Sequence, residues 1–130
     1  MKKLIRAAAV ARKMAWAPYS GFKVGAALEA ADGRVFTGCN VENASYGATC
    51  CAERTALFKA VSEGVRKFRR IAIVAGTSEP CPPCGICRQA LYEFSPQLEV
   101  IMANTRGKSL VKGLGELLPH GFRNRNLKRP

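Results

Sequence analysis

The chain is short of acids, of histidine and of long apolar runs, and each shortage removes a class of function. Its single histidine, His120, stands in no pattern with a serine, cysteine or aspartate, so a Ser-His-Asp or Cys-His device has no support. No apolar run approaches the ~18 residues of a membrane span. Arg6, Arg12 and Lys13 interrupt the alanine-rich start and deny it the apolar core of a secretory signal. That start is acid-poor, as transit peptides are, yet it runs without a break into a helical pattern and is read as folded structure. Nine acids face 21 Lys and Arg, a net charge of +12, and no acid follows Glu116. Basic residues gather at Lys2, Lys3 and Arg6, at Arg66, Lys67, Arg69 and Arg70, and at Arg123, Arg125, Lys128 and Arg129. Such runs form either a solvated face or a surface for polyanions. The aromatic residues on which single-strand binders stack bases are sparse within them.

What is present describes one globular domain over residues 1–130, with 121–130 as a basic tail. Apolar residues make up 48% and charged residues 23% of the 130, and a chain of this length buries about two-thirds of its unfolded surface. Ile5, Ala8, Ala9, Arg12 and Ala15 recur near helical spacing, which predicts a first helix from Lys2 to about Trp16, ending before Pro18. Phe22 to Leu28 and Arg34 to Cys39 read as strands joined by Ala31-Asp32-Gly33, whose Asp-Gly favours a tight hairpin. A polar loop follows from Asn40 to Gly47. Thr49 is the expected N-cap of a second helix reaching about Glu63, stopped by Gly64. Phe68 to Ala75 is a buried strand by its β-branched content, and a third helix spans about Cys84 to Phe94. Strands are expected at Leu98 to Ala103 and near Leu110, then a helical stretch from Gly115 to Leu118. Alternating strands and helices predict parallel crossovers attached to the first hairpin.

Six cysteines are present, and four fall into two tight clusters. Cys51-Ala52-Glu53 and Pro83-Cys84-Gly85-Ile86-Cys87 together offer three thiolates and one carboxylate. Three protein ligands on zinc leave a fourth position for water, whose pKa falls toward ~7. Both clusters lie at predicted helix starts, where free N–H groups and the helix dipole favour thiolates. Glu53 is poorly spaced to share the ion with Cys51, so its carboxylate is free to face the water. Three thiolates leave a negative centre, and Arg54, three residues after Cys51, is placed to donate to them and draw off charge. A first ligand, a Glu two residues on and a later Pro-Cys-x-x-Cys form the signature of zinc deaminases, in which the first ligand is usually His. Two other readings stand beside this one. Cys81-Pro82-Pro83-Cys84 and Cys84-Gly85-Ile86-Cys87 are redox-type motifs that leave Glu53 unexplained, and a closed structural zinc could take Cys50 or Cys81 as fourth ligand. Otherwise Cys39, Cys50 and Cys81 read as small apolar residues. A thiolate-rich metal pattern argues for a reducing compartment, and the cytoplasm is expected.

Phe22-Lys23-Val24-Gly25-Ala26-Ala27-Leu28, Asn40-Val41-Glu42-Asn43-Ala44-Ser45-Tyr46, Cys51-Ala52-Glu53-Arg54-Thr55-Ala56 and Pro83-Cys84-Gly85-Ile86-Cys87-Arg88-Gln89, taken in order, resemble the small homotetrameric cytidine deaminases over nearly the whole chain. The resemblance implies a three-layer α/β/α fold with a mixed five-stranded sheet between helices. It implies one zinc per subunit on Cys51, Cys84 and Cys87, with Glu53 as proton shuttle between the water and N3 of cytosine. Asn40 and Glu42 match positions that hold the ribose 3′-hydroxyl, and Ala52 a position at the substrate. Phe22 and Phe122 match aromatic walls of the pocket, Phe122 reaching in from a neighbouring subunit, and Tyr46 is placed at the subunit interface. The implied reaction is hydrolytic deamination of cytidine and 2′-deoxycytidine in pyrimidine salvage. The basic C-terminal residues depart from the family pattern. They keep open deamination of cytosine in single-stranded RNA or DNA, or of a modified cytosine nucleoside, and contact with nucleic acid.

Overall fold

In a computed structural model, residues 1–127 are described. The first helix, α1 (Lys2–Arg12), precedes the hairpin β1 (Val24–Ala30) and β2 (Val35–Cys39). The second helix, α2 (Ala52–Ser62), leads to β3 (Phe68–Ala75), and α3 (Gly85–Phe94) leads to β4 (Glu99–Asn104). Strand β5 (Ser109–Gly113) and the one-turn helix α4 (Leu114–Leu117) follow. Lys128 and Arg129, half of the expected C-terminal basic cluster, lie outside the described residues.

The sheet order is β2-β1-β3-β4-β5. Strand β1 is antiparallel to both β2 and β3, β3 and β4 run parallel, and β5 returns antiparallel. The sheet is therefore mixed, and among the described residues only β3-α3-β4 is a crossover between adjacent parallel strands. The expectation of neighbouring parallel strands is corrected for α2, because β1 intervenes between β2 and β3. Since β2 and β3 are both antiparallel to β1, they still point the same way. Helices α2 and α3 consequently begin at the same carboxyl edge of the sheet, where sites of α/β folds form.

Alternation along the strands divides the core into two layers. Ala26, Leu28, Ile71, Ile73, Val100 and Met102 face α2 and α3, packing with Leu57 and Leu91. Ala27, Ala72, Val74, Ile101 and Ala103 face α1, where Leu4 and Ala8 are buried. Of the residues expected on the inner face of α1, only Ala8 is buried, and Leu4 does the work assigned to Ile5. The helix also stops four residues early. Trp16 leaves the helical path because its N–H donates to the Asn40 carbonyl at 3.0 Å while its own carbonyl accepts from Glu42 N at 2.8 Å.

Small residues let the helices sit almost on the strands. A Cβ on Gly38 would lie 2.5 Å from Ala56 N and 2.7 Å from the Ala52 carbonyl oxygen, so at Gly38 the backbone of β2 meets the backbone of the first turns of α2 directly. Replacing Gly38 with Ala therefore pushes α2 off the sheet at the end that carries Cys51. We expect Gly38→Ala to cost about 1–3 kcal/mol in urea unfolding. Gly47→Ala, where a Cβ meets nothing within 4 Å, is the control and should unfold as the parent does.

Candidate functional site

Two helix starts build the site. The N-cap of α2 is Cys51, not Thr49, and the N-cap of α3 is Cys84. Both cysteines thus stand one step outside the helix, with extended backbone, beside N–H groups that no helical carbonyl accepts. Cys87 follows one turn into α3 and is fully buried. The Sγ atoms of Cys51, Cys84 and Cys87 all lie within 4.8 Å of one another, and Cys51 Sγ and Cys84 Sγ are 3.8 Å apart. Tetrahedral zinc with Zn–S of about 2.3 Å requires sulfurs about 3.8 Å apart. One pair already has that spacing and the third sulfur is close by, so three thiols with no carboxylate among them are a donor set suited to zinc.

The electrostatics follow from the same packing. Cys51 is pushed down to about 5 by hydrogen bonding from Cys87, then by the Arg54 guanidinium and by Cys84. Cys87 is held well above the ordinary thiol range by its bond to the Cys51 thiolate and by burial. One negative charge in the cluster thus resists a second, and a cation is what allows all three sulfurs to ionise together. Arg54 Nη2 lies 3.4 Å from Cys51 Sγ, as its position three residues on in the helix predicts. Its own pKa is raised by that contact.

Glu53 is buried, at 4% exposure, and belongs to no ion pair among the described residues. Burial pushes its carboxyl up to about 7, and the Cys51 thiolate adds to the rise. A carboxyl poised near neutrality can both accept and return a proton. It stands at the wall of a cavity of about 320 Å³, which it shares with Cys51, Cys84, Ala52, Phe22, Asn40 and Glu42. A wider depression of about 820 Å³ lies at the start of α1, lined by Lys2, Lys3 and Arg70 among others, and contains none of the cysteines. Chemistry selects the smaller cavity.

At the mouth, side chains are tied to backbone. The Asn40 amide accepts from Val24 N at 2.8 Å and donates to the Phe22 carbonyl at 2.7 Å, leaving one N–H and one lone pair for a guest. The Glu42 carboxylate accepts from Tyr19 N at 2.9 Å, from Ser20 N at 3.1 Å and from the Ser20 hydroxyl. Hydrogen bonding from Ser20 lowers its pKa, so it is an anion at neutral pH.

Nine of the residues singled out from the sequence, Phe22, Asn40, Glu42, Cys51, Ala52, Glu53, Arg54, Cys84 and Cys87, are gathered at or against this cavity. Two are not. Phe122 is 54% exposed and outside the cavity, with its backbone fastened at both N and O to the Gln89 amide. Tyr46 is exposed and meets Tyr19 edge to face, with ring centroids 5.9 Å apart. Cys81, expected either as a small apolar residue or as the fourth ligand of a closed zinc, lines the cavity as well, and so does Ser20, which belongs to no motif in the sequence. A serine in a glycine-bearing turn is a general loop feature, and nothing in its spacing marks it as part of a site.

The family model for the cytidine and deoxycytidylate deaminase zinc-binding region matches residues 1–103. The chain is 48% identical to the cytidine deaminase of Sporosarcina psychrophila over 128 residues, covering 98% of this chain and 94% of that one. It is 53% identical to the cytidine deaminase of Halalkalibacterium halodurans over 120 residues, covering 92% and 91%. The crystal structure of cytidine deaminase from Burkholderia pseudomallei matches with a TM-score of 0.91 at 55% identity, covering 93% of this chain and 98% of that chain. The chain belongs to the zinc-binding cytidine and deoxycytidylate deaminase family, and it is an enzyme of that hydrolytic class.

Zinc content of purified variants tests the ligand set. Cys51→Ala, Cys84→Ala and Cys87→Ala should each lose bound zinc, because two remaining thiolates hold it far less firmly. Cys39→Ala, Cys50→Ala and Cys81→Ala should keep it. Loss in the Cys50 or Cys81 variant would instead indicate a closed site of four sulfurs.

Proposed function

We propose that the protein hydrolyses the 4-amino group of cytidine and 2′-deoxycytidine, giving uridine or 2′-deoxyuridine and ammonia, as a step of pyrimidine salvage. The observation that carries this reading is a buried carboxyl, Glu53, set beside three clustered thiols in a cavity whose mouth presents an amide and a carboxylate. Cys51, Cys84 and Cys87 hold one zinc per subunit. When bound, the metal supplies a water acidic enough to be a nucleophile at neutral pH.

Glu53 takes a proton from the attacking water and delivers it to N3 of the base. This removes charge from the ring as C4 accepts the oxygen. The same carboxyl then passes the second proton to the departing amine, which leaves as ammonia, so one water is consumed per turnover. Arg54 withdraws charge from Cys51 and keeps three thiolates compatible with a metal of sufficient Lewis acidity. Phe22 and Ala52 flank the base. Asn40 donates its remaining N–H to the sugar 3′-hydroxyl while Glu42 accepts that hydroxyl's proton. None of the described residues lining the cavity is Lys or Arg, and an anionic Glu42 repels a phosphate. A nucleoside is therefore favoured over a nucleotide or polynucleotide.

No described helix is long and apolar enough to cross a membrane. The need for reduced thiols supports a cytoplasmic setting. A homotetramer with shared sites accounts for the outward display of Phe122 and Tyr46, 54% and 76% exposed. In it Phe122 closes a neighbour's cavity and Tyr46 packs between subunits.

Two outcomes test the reading. Glu53→Gln should retain zinc and lose cytidine turnover by at least about 10²-fold, the usual worth of a positioned acid–base group. Turnover near the parent's would remove Glu53 from the mechanism. Sedimentation should give four times the 14.1 kDa chain mass, and a species of one chain that turns over cytidine would rule out shared sites.

A further inference from the structure

We propose that Ser20 is a positioning residue of the sugar subsite, its hydroxyl joining the Glu42 carboxylate to the backbone of Phe22 so that sugar acceptor and aromatic wall are set in one fixed relation. This rests on the reading of the cavity as a nucleoside site.

The direction of each hydrogen bond is decided by what the groups can do. Phe22 N can only donate, and it lies 2.9 Å from Ser20 Oγ, so the serine oxygen accepts there. Its single proton is then left for Glu42 Oε2, with which the hydroxyl is in contact. The rotor has one satisfied orientation. Glu42 Oε1 is occupied by two backbone donors, Tyr19 N at 2.9 Å and Ser20 N at 3.1 Å. A carboxylate offers about four acceptor positions, so the one remaining is on Oε2 and its direction is fixed by where Ser20 binds. The loop is shaped for this grip. Gly21 takes φ +70, a left-handed conformation that suits glycine, and its N–H donates to the Ala17 carbonyl at 2.9 Å, folding the chain back around Glu42. Removing the hydroxyl leaves the two backbone bonds to Oε1 in place. Glu42 then stays anchored but is free to swing Oε2, while Phe22 loses its link to the carboxylate.

Steady-state kinetics of the zinc-loaded protein on cytidine and on 3′-deoxycytidine separate the possibilities. The parent should prefer cytidine in kcat/KM. Ser20→Ala should raise KM for cytidine about tenfold with kcat within about twofold, the size of one hydrogen bond to a charged group, and should shrink the preference for the 3′-hydroxyl. Ser20→Thr, which keeps the hydroxyl, should restore KM and the preference. Should Ser20→Ala not fold, Ser20→Gly removes the same hydroxyl and reads the same quantities. A loss of melting temperature with kcat and KM altered together, unrescued by Thr, would overturn the assignment in favour of a purely structural loop residue. So would a KM and a 3′-hydroxyl preference equal to the parent's in the Ala variant. If the parent itself ignores the 3′-hydroxyl, the sugar role of Glu42 falls and this assignment with it. If the parent does not turn over cytidine at all, the functional reading fails first.

Discussion

Keeping three cysteine sulfurs within 4.8 Å of one another obliges the chain to bring together two helix starts whose capping cysteines are 33 residues apart. Much of the architecture answers to that demand. Strands β2 and β3 must point the same way so that α2 and α3 begin at one edge, and β1 between them must be antiparallel to both. The helices must also approach the sheet closely enough for the capping positions to meet. Gly38 permits this for α2, since any side chain there would strike the backbone of its first turns. Packing on one face of the sheet thus determines geometry at its edge.

Charge is the second constraint, and it is resolved locally. Thiolates at helix N-termini are favoured by the dipole, but only one ionises readily while its neighbour keeps a proton. Arg54 offsets part of that charge from within the same helix. Glu53 is buried next to it and is displaced toward neutrality by desolvation. The overall +12 has little part in this. Arg34 pairs with Asp32, Arg69 and Arg70 with Glu29, and Lys108 with Glu79, so several basic residues are engaged with carboxylates outside the thiol cluster.

The sequence made much of this legible because its strongest signals are local. Asp32-Gly33 marked the hairpin, the β-branched run marked β3 to the residue, and the cysteine spacings marked the three thiols that cluster and the guanidinium of Arg54 beside them. Boundaries that depend on distant partners were less visible. The end of α1 is set by a bond between Trp16 and Asn40, 24 positions away, which no helical periodicity encodes. The N-cap of α2 moved from Thr49 to Cys51 because Cys50 pairs with Val41 in an isolated bridge and holds that stretch extended. Ser20 is inconspicuous in the sequence for a similar reason. Its significance lies in facing Glu42, and a loop serine looks the same whether it caps a turn or orients a carboxylate.

Deamination of the kind proposed requires an open zinc centre, with Cys51, Cys84 and Cys87 as its protein ligands. Zinc X-ray absorption on the purified protein addresses it most directly, since sulfur and lighter neighbours lie at different distances. Three sulfurs at about 2.3 Å and one oxygen at about 2.0 Å is the expected first shell. Four sulfurs, with no light ligand, would make the site structural and would contradict the account.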